Sequence, residues 1–371
     1  MVSKRMGLWY IKLMKKAIVY IIAVSLAALC LFGCAARKTE PILITPAPTP
    51  TDEAAQAAAL LPTPYPNDTP APDPLRPAEG AYTFAWLSDT QHYSEKNGFV
   101  FRLMTAYLRD NRERLGLDYV IFTGDFVQNM GKTEEWEGAR AAMDSISDIP
   151  HGVLAGNHDV NYSSADYTTF THYFGADRYQ DKPWYGGSYE NNRCHFDLIT
   201  AGKTDYIFVY VGYPVTDDTA AYARHTFNDY PDRVGILCAH DYFKTDVTLS
   251  EGGSALYKQV VKKCPNVYMA LCGHRYNQAC VPAPMDDDGD GTPDRTVYQM
   301  IMNYQAAGEY GGNGYIRFMQ IDESAGTLTA LSYSPLMRDF NYFDTPESQQ
   351  IKYPADPAFE AYTLPLPWLL P

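Results

Sequence analysis

From Ala81 to Tyr333 short apolar runs alternate with longer amphipathic stretches, and run after run ends in a small polar cluster. The runs predict strands at 82–87, 118–123, 152–155, 206–211, 234–239, 267–271, 296–302, 316–321 and 327–333. Helical spacing of apolar positions predicts helices at 99–114 and 133–146. Strand alternating with helix reads as βαβ units and an α/β fold. No second linker and no internal repeat interrupts the body. It reads as one domain over 81–340, with 341–371 a C-terminal tail that packs on the domain or trails from it.

The chain before Ala81 is different. Residues 17–32 form an apolar run directly after Lys15 and Lys16, shorter than the roughly 20 residues a bilayer span needs. A basic flank, a short apolar run and small residues read as a secretory signal over 1–33. An uncleaved anchor helix is the alternative. Leu31-Phe32-Gly33-Cys34 resembles the bacterial lipoprotein signal, which implies lipidation of Cys34. Residues 34–80, rich in Pro, Thr and Ala, read as an extended spacer without chemistry. Together these segments place the body outside the cytoplasm, held at a membrane through a lipid anchor only.

Composition narrows the function. The 371 residues are 46% hydrophobic and 14% aromatic, enough for a packed core. The chain carries 30 basic and 44 acidic residues, a formal charge of −14; five of the bases and none of the acids lie in residues 1–33. So acidic a body repels phosphate backbones, and nucleic-acid scaffold binding is not expected.

The chemistry sits where the strands end: Ser88-Asp89-Thr90-Gln91-His92, Gly124-Asp125, Gly156-Asn157-His158-Asp159, His240-Asp241 and Gly273-His274. In open α/β sheets ligands bind beyond the carboxyl ends of the strands, so these loops are expected to converge. Asp, Asn and His are donors for hard and borderline metal ions. A pair of such ions suits phosphoester hydrolysis by an activated water.

In order and kind these blocks resemble the calcineurin-like metallophosphoesterases, whose pattern is D-x-H, GD, GNH(D/E), H and GHxH. The resemblance implies two β-sheets packed as a sandwich and flanked by helices. It implies that Asp89 binds the first metal, that Asp125 bridges both, and that Asn157, His240 and His274 hold the second. His158 would protonate or stabilise the leaving oxygen, with Asp159 orienting it. Two positions depart from the pattern. Gln91 stands where the first block has histidine, with His92 one residue late, and Tyr276 stands where the last block has its second histidine. Gln91 offers an amide oxygen and Tyr276 a phenolate, or each is an ordinary polar or packing residue. Arg275, beside a ligand, and Tyr185, in a loop over 184–189 that resembles one in a secreted branch, are candidate substrate contacts.

Two further signals stand apart. Asp286, Asp288, Asp290 and Asp294, with Thr292, match positions of a calcium loop, although Val297 replaces the closing glutamate; a solvated acidic insertion fits equally. Cys194, Cys238, Cys264, Cys272 and Cys280 remain in the body, and thiols on apolar strands are expected to be buried rather than bridged. The sequence therefore reads as a lipid-anchored metallophosphoesterase. Its cofactors would be two divalent or mixed-valence transition-metal ions (Mn, Fe or Zn), with calcium as a possible addition. Its substrate would be a phosphorylated small molecule, lipid or wall polymer. The alternative is a non-catalytic surface protein that binds a phosphorylated ligand at a degenerate metal site.

Overall fold

The computed structural model describes the backbone of 63–64 and residues 73–161, 163–306, 308–340, 342–344 and 355–369. The signal, Cys34 and most of the spacer lie outside the described residues.

Two seven-stranded sheets make the body. The first runs β1 (Thr63–Pro64), β14 (Ala361–Pro365), β13 (Thr327–Tyr333), β12 (Ile316–Asp322), β2 (Tyr82–Leu87), β3 (Leu117–Phe122) and β4 (His151–Val153). The second runs β10 (Gln278–Met285), β11 (Arg295–Met302), β9 (Val267–Cys272), β8 (Val234–Ala239), β7 (Thr204–Val211), β6 (Cys194–Ala201) and β5 (Tyr185–Tyr189). Strands β2, β3 and β4 are parallel, as are β7, β8, β9 and β11. Both parallel sets therefore deliver their carboxyl ends to one rim each.

Three apolar layers hold the sheets. Between them lie Phe84, Trp86, Tyr119, Tyr206, Phe208, Leu271 and Tyr298, all at most 1% exposed. Outside the first sheet, helices Gly98–Asp110 and Thr133–Asp144 pack Phe101, Leu108, Trp136 and Ala139 onto β2 and β3. Outside the second, helix Asp217–Asp229 does the same with Ala220, Ala223 and Phe227. The two-sheet α/β sandwich flanked by helices is thus observed.

The details correct several sequence expectations. The 99–114 helix is interrupted at Asn111, where Gly98–Asp110 ends and Arg112–Leu115 begins. The 184–189 loop is an edge strand, β5, paired with β6; two glycines and one-sided pairing hide its alternation. β10 carries Pro282 and Pro284 and pairs only with β11, the edge placement proline requires. The domain begins before Ala81, because Leu75 is 2% exposed and Asp73 pairs with Arg114 at 2.6 Å. Residues 361–365 form a strand of the first sheet, with Tyr362 and Leu364 buried. All five cysteines are buried and unbridged.

A polar seam runs through the interior. Tyr119 donates to Asp197, and Tyr210 donates to Tyr119 at 3.0 Å. Nearby, His151 opens β4 with Nδ1 2.8 Å from the Ile149 carbonyl, while its Nε2 is buried without a hydrogen-bond partner. Burial pushes its pKa down from 6.5 to about 4. The unfolded chain therefore binds a proton between these values that the folded chain refuses. Stability from this group is complete above pH 6.5 and is lost as pH falls through about 4. Its size is on the order of 3 kcal/mol. Between about pH 7 and pH 4, the unfolding free energy of the wild type, read by urea denaturation, should therefore fall by about 2–3 kcal/mol more than that of His151→Gln.

Candidate metal centre

Three candidate ligands leave their strands through left-handed turns: Asp89 at φ 57°, Asp125 at 60° and His274 at 69°. That conformation costs a non-glycine residue about 1–2 kcal/mol. It takes each side chain out of the strand's up-and-down alternation. The glycines of the sequence blocks make room for this. A Cβ on Gly156 would lie 2.0 Å from Asp125 Oδ1, and one on Gly273 would lie 2.2 Å from Asp89 Oδ2. Each glycine is a slot for the carboxylate of an earlier block.

Asp125 is the hub. Its Oδ1 accepts the His158 backbone N–H at 2.9 Å; its Oδ2 accepts Gln91 Nε2 at 3.0 Å and lies 3.3 Å from His240 Nε2. His240 Nδ1 meets the Thr123 carbonyl at 2.8 Å, and its Nε2 meets Asn157 Oδ1 at 3.0 Å. Donor atoms of Asp125, His240 and His274 lie within 4.8 Å of one another. Asp89 falls outside that tight set; its oxygens accept the His274 backbone N–H at 3.1 and 3.0 Å and the Ser88 hydroxyl.

The electrostatics are those of a cation site. Burial pushes His240 down, but the Asp125 and Asp89 carboxylates and the Thr123 carbonyl overcome it and raise its pKa to about 10. Burial and the His240 and Arg275 charges hold His274 down at about 3, leaving it a neutral imidazole, the ligating form. Burial lifts the Asp125 carboxyl, yet His240 and His158 outweigh it and keep it below the ordinary range. Burial holds Asp89 above that range. Gln91 is buried, and its Oε1 has no hydrogen-bond partner, an orphaned acceptor of the kind a cation satisfies. Carboxylates, amide oxygens and imidazoles make a donor set that fits hard or borderline divalent ions.

The remaining candidates separate. Arg275 is exposed on the turn after His274, and Tyr276 is 37% exposed. Burial, with Asp89 and Asp125 near, pushes the Tyr276 phenol up. His92 faces Glu95 at 3.7 Å on the surface. Tyr185 does not join the ligands: its strand lies at the far edge of the second sheet, and its hydroxyl donates to Asn192. The tyrosine beside the site is instead Tyr213, with its ring 6.4 Å from those of both His240 and His274. It follows β7 as His240 follows β8, so the strand-end rule that found the other residues reaches it too.

Asp159 is not the partner of His158. Its Oδ1 accepts the N–H groups of Phe126 and Val127 at 2.8 and 3.1 Å, and its Oδ2 accepts that of Gly156 at 2.8 Å. His158 Nδ1 instead lies 3.1 Å from the Gln128 carbonyl. Asp159 therefore staples the Asp125 and Asn157 loops together. In the acidic insertion Asp286, Asp288 and Asp294 converge, exposed, between β10 and β11, and Asp290 is not in that set. Their carboxylates already cap the loop's own amides at Gly289, Gly291 and Asp287.

Asp159→Ala should strand three amides and lower stability by about 2–5 kcal/mol, read by urea denaturation. It should also weaken metal uptake by roughly 10–100-fold, read by titration with Mn2+.

Comparison with known proteins agrees with this geometry. The family model for calcineurin-like phosphoesterases matches residues 82–277. An uncharacterized Bacillus subtilis (strain 168) protein, YvnB, is 42% identical over 275 residues, covering 74% of this chain and 21% of its own length. The chain thus spans about a fifth of that relative. Among solved structures, the purple acid phosphatase PPD1 from yellow lupin superposes with a TM-score of 0.50 at 11% identity, over 80% of this chain and 55% of that one. The NAD nucleotidase of Haemophilus influenzae superposes with a TM-score of 0.40 at 11% identity, over 69% and 48%. With the family model spanning more than half of the chain and enclosing every converging ligand, the chain belongs to the calcineurin-like phosphoesterase family.

Proposed function

We propose that the chain hydrolyses phosphomonoesters or phosphodiesters with two divalent or mixed-valence transition-metal ions, Mn, Fe or Zn. Asp89, Gln91, Asp125, Asn157, His240, His274 and Tyr276 would hold them. The observation that carries this is the convergence of Asp125, His240 and His274, from three separate strands, on one buried point. Such ions, when bound, supply Lewis acidity to phosphoryl oxygens and an activated water.

The chain's own residues do the rest. Asp125 holds Oδ1 against the His158 backbone N–H and turns Oδ2 toward both Gln91 and His240, so one carboxylate faces residues that would serve both ions. His158 is pinned by its backbone N–H on Asp125, with Nδ1 against the Gln128 carbonyl. With Nδ1–H donating there, a doubly protonated ring would pass its Nε2 proton to the departing alkoxide and be left neutral. Arg275 is exposed beside the ligands and offers charge to a substrate phosphate.

The substrate class would be a phosphorylated small molecule, lipid headgroup or wall polymer, met outside the cytoplasm by a body tethered through Cys34. The charge of the body argues against nucleic acid. One observation favours the second reading, a non-catalytic binder of phosphorylated ligands: Gln91 presents an N–H to Asp125 at the position where the family pattern has an imidazole whose lone pair would meet a metal ion.

The metal-loaded wild type should hydrolyse p-nitrophenyl phosphate or its bis ester. Asp125→Asn should lose at least about tenfold in rate, and His158→Ala about 10²–10⁴-fold. A smaller loss in Asp125→Asn overturns the hydrolytic reading, and a metal-loaded wild type without turnover selects the binder.

A further inference from the structure

Resting on that reading, the two halves of the centre are chemically unequal. One half gathers Asn157, His240 and His274 with Asp125: two imidazoles, an amide oxygen and a carboxylate. The other, on that reading, would draw on Asp89, Gln91, Tyr276 and the shared Asp125, which offer oxygen donors alone. Nitrogen donors raise affinity for first-row transition ions, whereas oxygen-only sets favour harder and more exchangeable ones.

Gln91 adds a second asymmetry. Its Nε2 donates to Asp125 Oδ2 at 3.0 Å while Oε1 is buried without a partner. With no ion in the half that Gln91 borders this orientation is favoured, because the reverse would set an amide oxygen against a carboxylate oxygen. With an ion in the half that Gln91 borders the preference reverses, because an N–H repels that ion and the amide oxygen binds it. The two ends of an amide are nearly the same shape, so the exchange needs only a turn about the last side-chain bond.

We propose that Gln91 is a two-state ligand. It donates to Asp125 when one ion is bound in the imidazole half, and turns its Oε1 inward to admit a second, weaker and exchangeable ion. The turn breaks a hydrogen bond to a charged acceptor, and that loss is charged to the second binding step alone. The chain thereby holds one resident ion and one that comes and goes with supply.

The test is stepwise uptake of Mn2+ by the full chain, followed through the paramagnetic signal of the free ion and by metal content after dialysis. No turnover is read, so a chain that fails to hydrolyse anything leaves the result standing. The wild type should take up two ions, the second at least about tenfold more weakly, and retain one after dialysis. Gln91→Glu, which removes the donor and adds a carboxylate, should strengthen the second step by about tenfold or more. Gln91→Leu should abolish the second step and leave the first within about threefold. Equal affinity for both ions in the wild type overturns the proposal, as does a second step that survives Gln91→Leu. If Gln91→Leu does not fold, as its thermal melt will show, a second step unchanged in Gln91→Glu overturns it instead.

Discussion

A buried carboxylate with no cation beside it is among the least tolerable groups a protein interior can hold, and the whole rim is arranged around two of them. Asp125 and Asp89 are each 1% exposed. Every nearby feature answers that charge: the imidazolium form of His240, the backbone N–H groups of His158 and His274, the Gln91 amide, and the left-handed turns that bring these groups within reach. The hydrophobic layers fix the strands, but the excess of acceptors at their ends decides what the fold is for.

The same constraint explains a division of labour among the polar residues. Some face the centre and wait for a metal. Others, Asp159 above all, turn both carboxylate oxygens to the backbone and hold the loops still. Sequence blocks list both kinds side by side, since a motif records which residues the rim requires and not which atom each of them addresses. Gln91 belongs to both classes at once, with one end engaged and the other orphaned.

Much of this was legible from the order of residues. Strands buried on both faces appear as nearly continuous apolar runs, and β2 and β8 begin and end where such runs do. The rim was legible too, because Asp125, Asn157, His240 and His274 each follow such a run. What escaped did so for physical reasons. β6 carries His195 and Asp197 inward, so its core face reads as polar. β5 and β10 are edge strands whose glycines and prolines imitate loops. Asp159 sits in the right block, yet only coordinates show that its oxygens meet amides instead of imidazole. Tyr213 lay in plain sight after β7 and was hidden by a chain that holds 30 tyrosines.

The five buried thiols carry a different consequence. Burial raises the pKa of Cys194 to about 12 and of Cys264 to about 11, and those of Cys238, Cys272 and Cys280 lie high as well. Near neutrality even Cys264 is ionised in only about one molecule in ten thousand. Peroxide and disulfide partners both need the sulfur anion to react. In the native fold these five thiols therefore react slowly with oxidants and with disulfides.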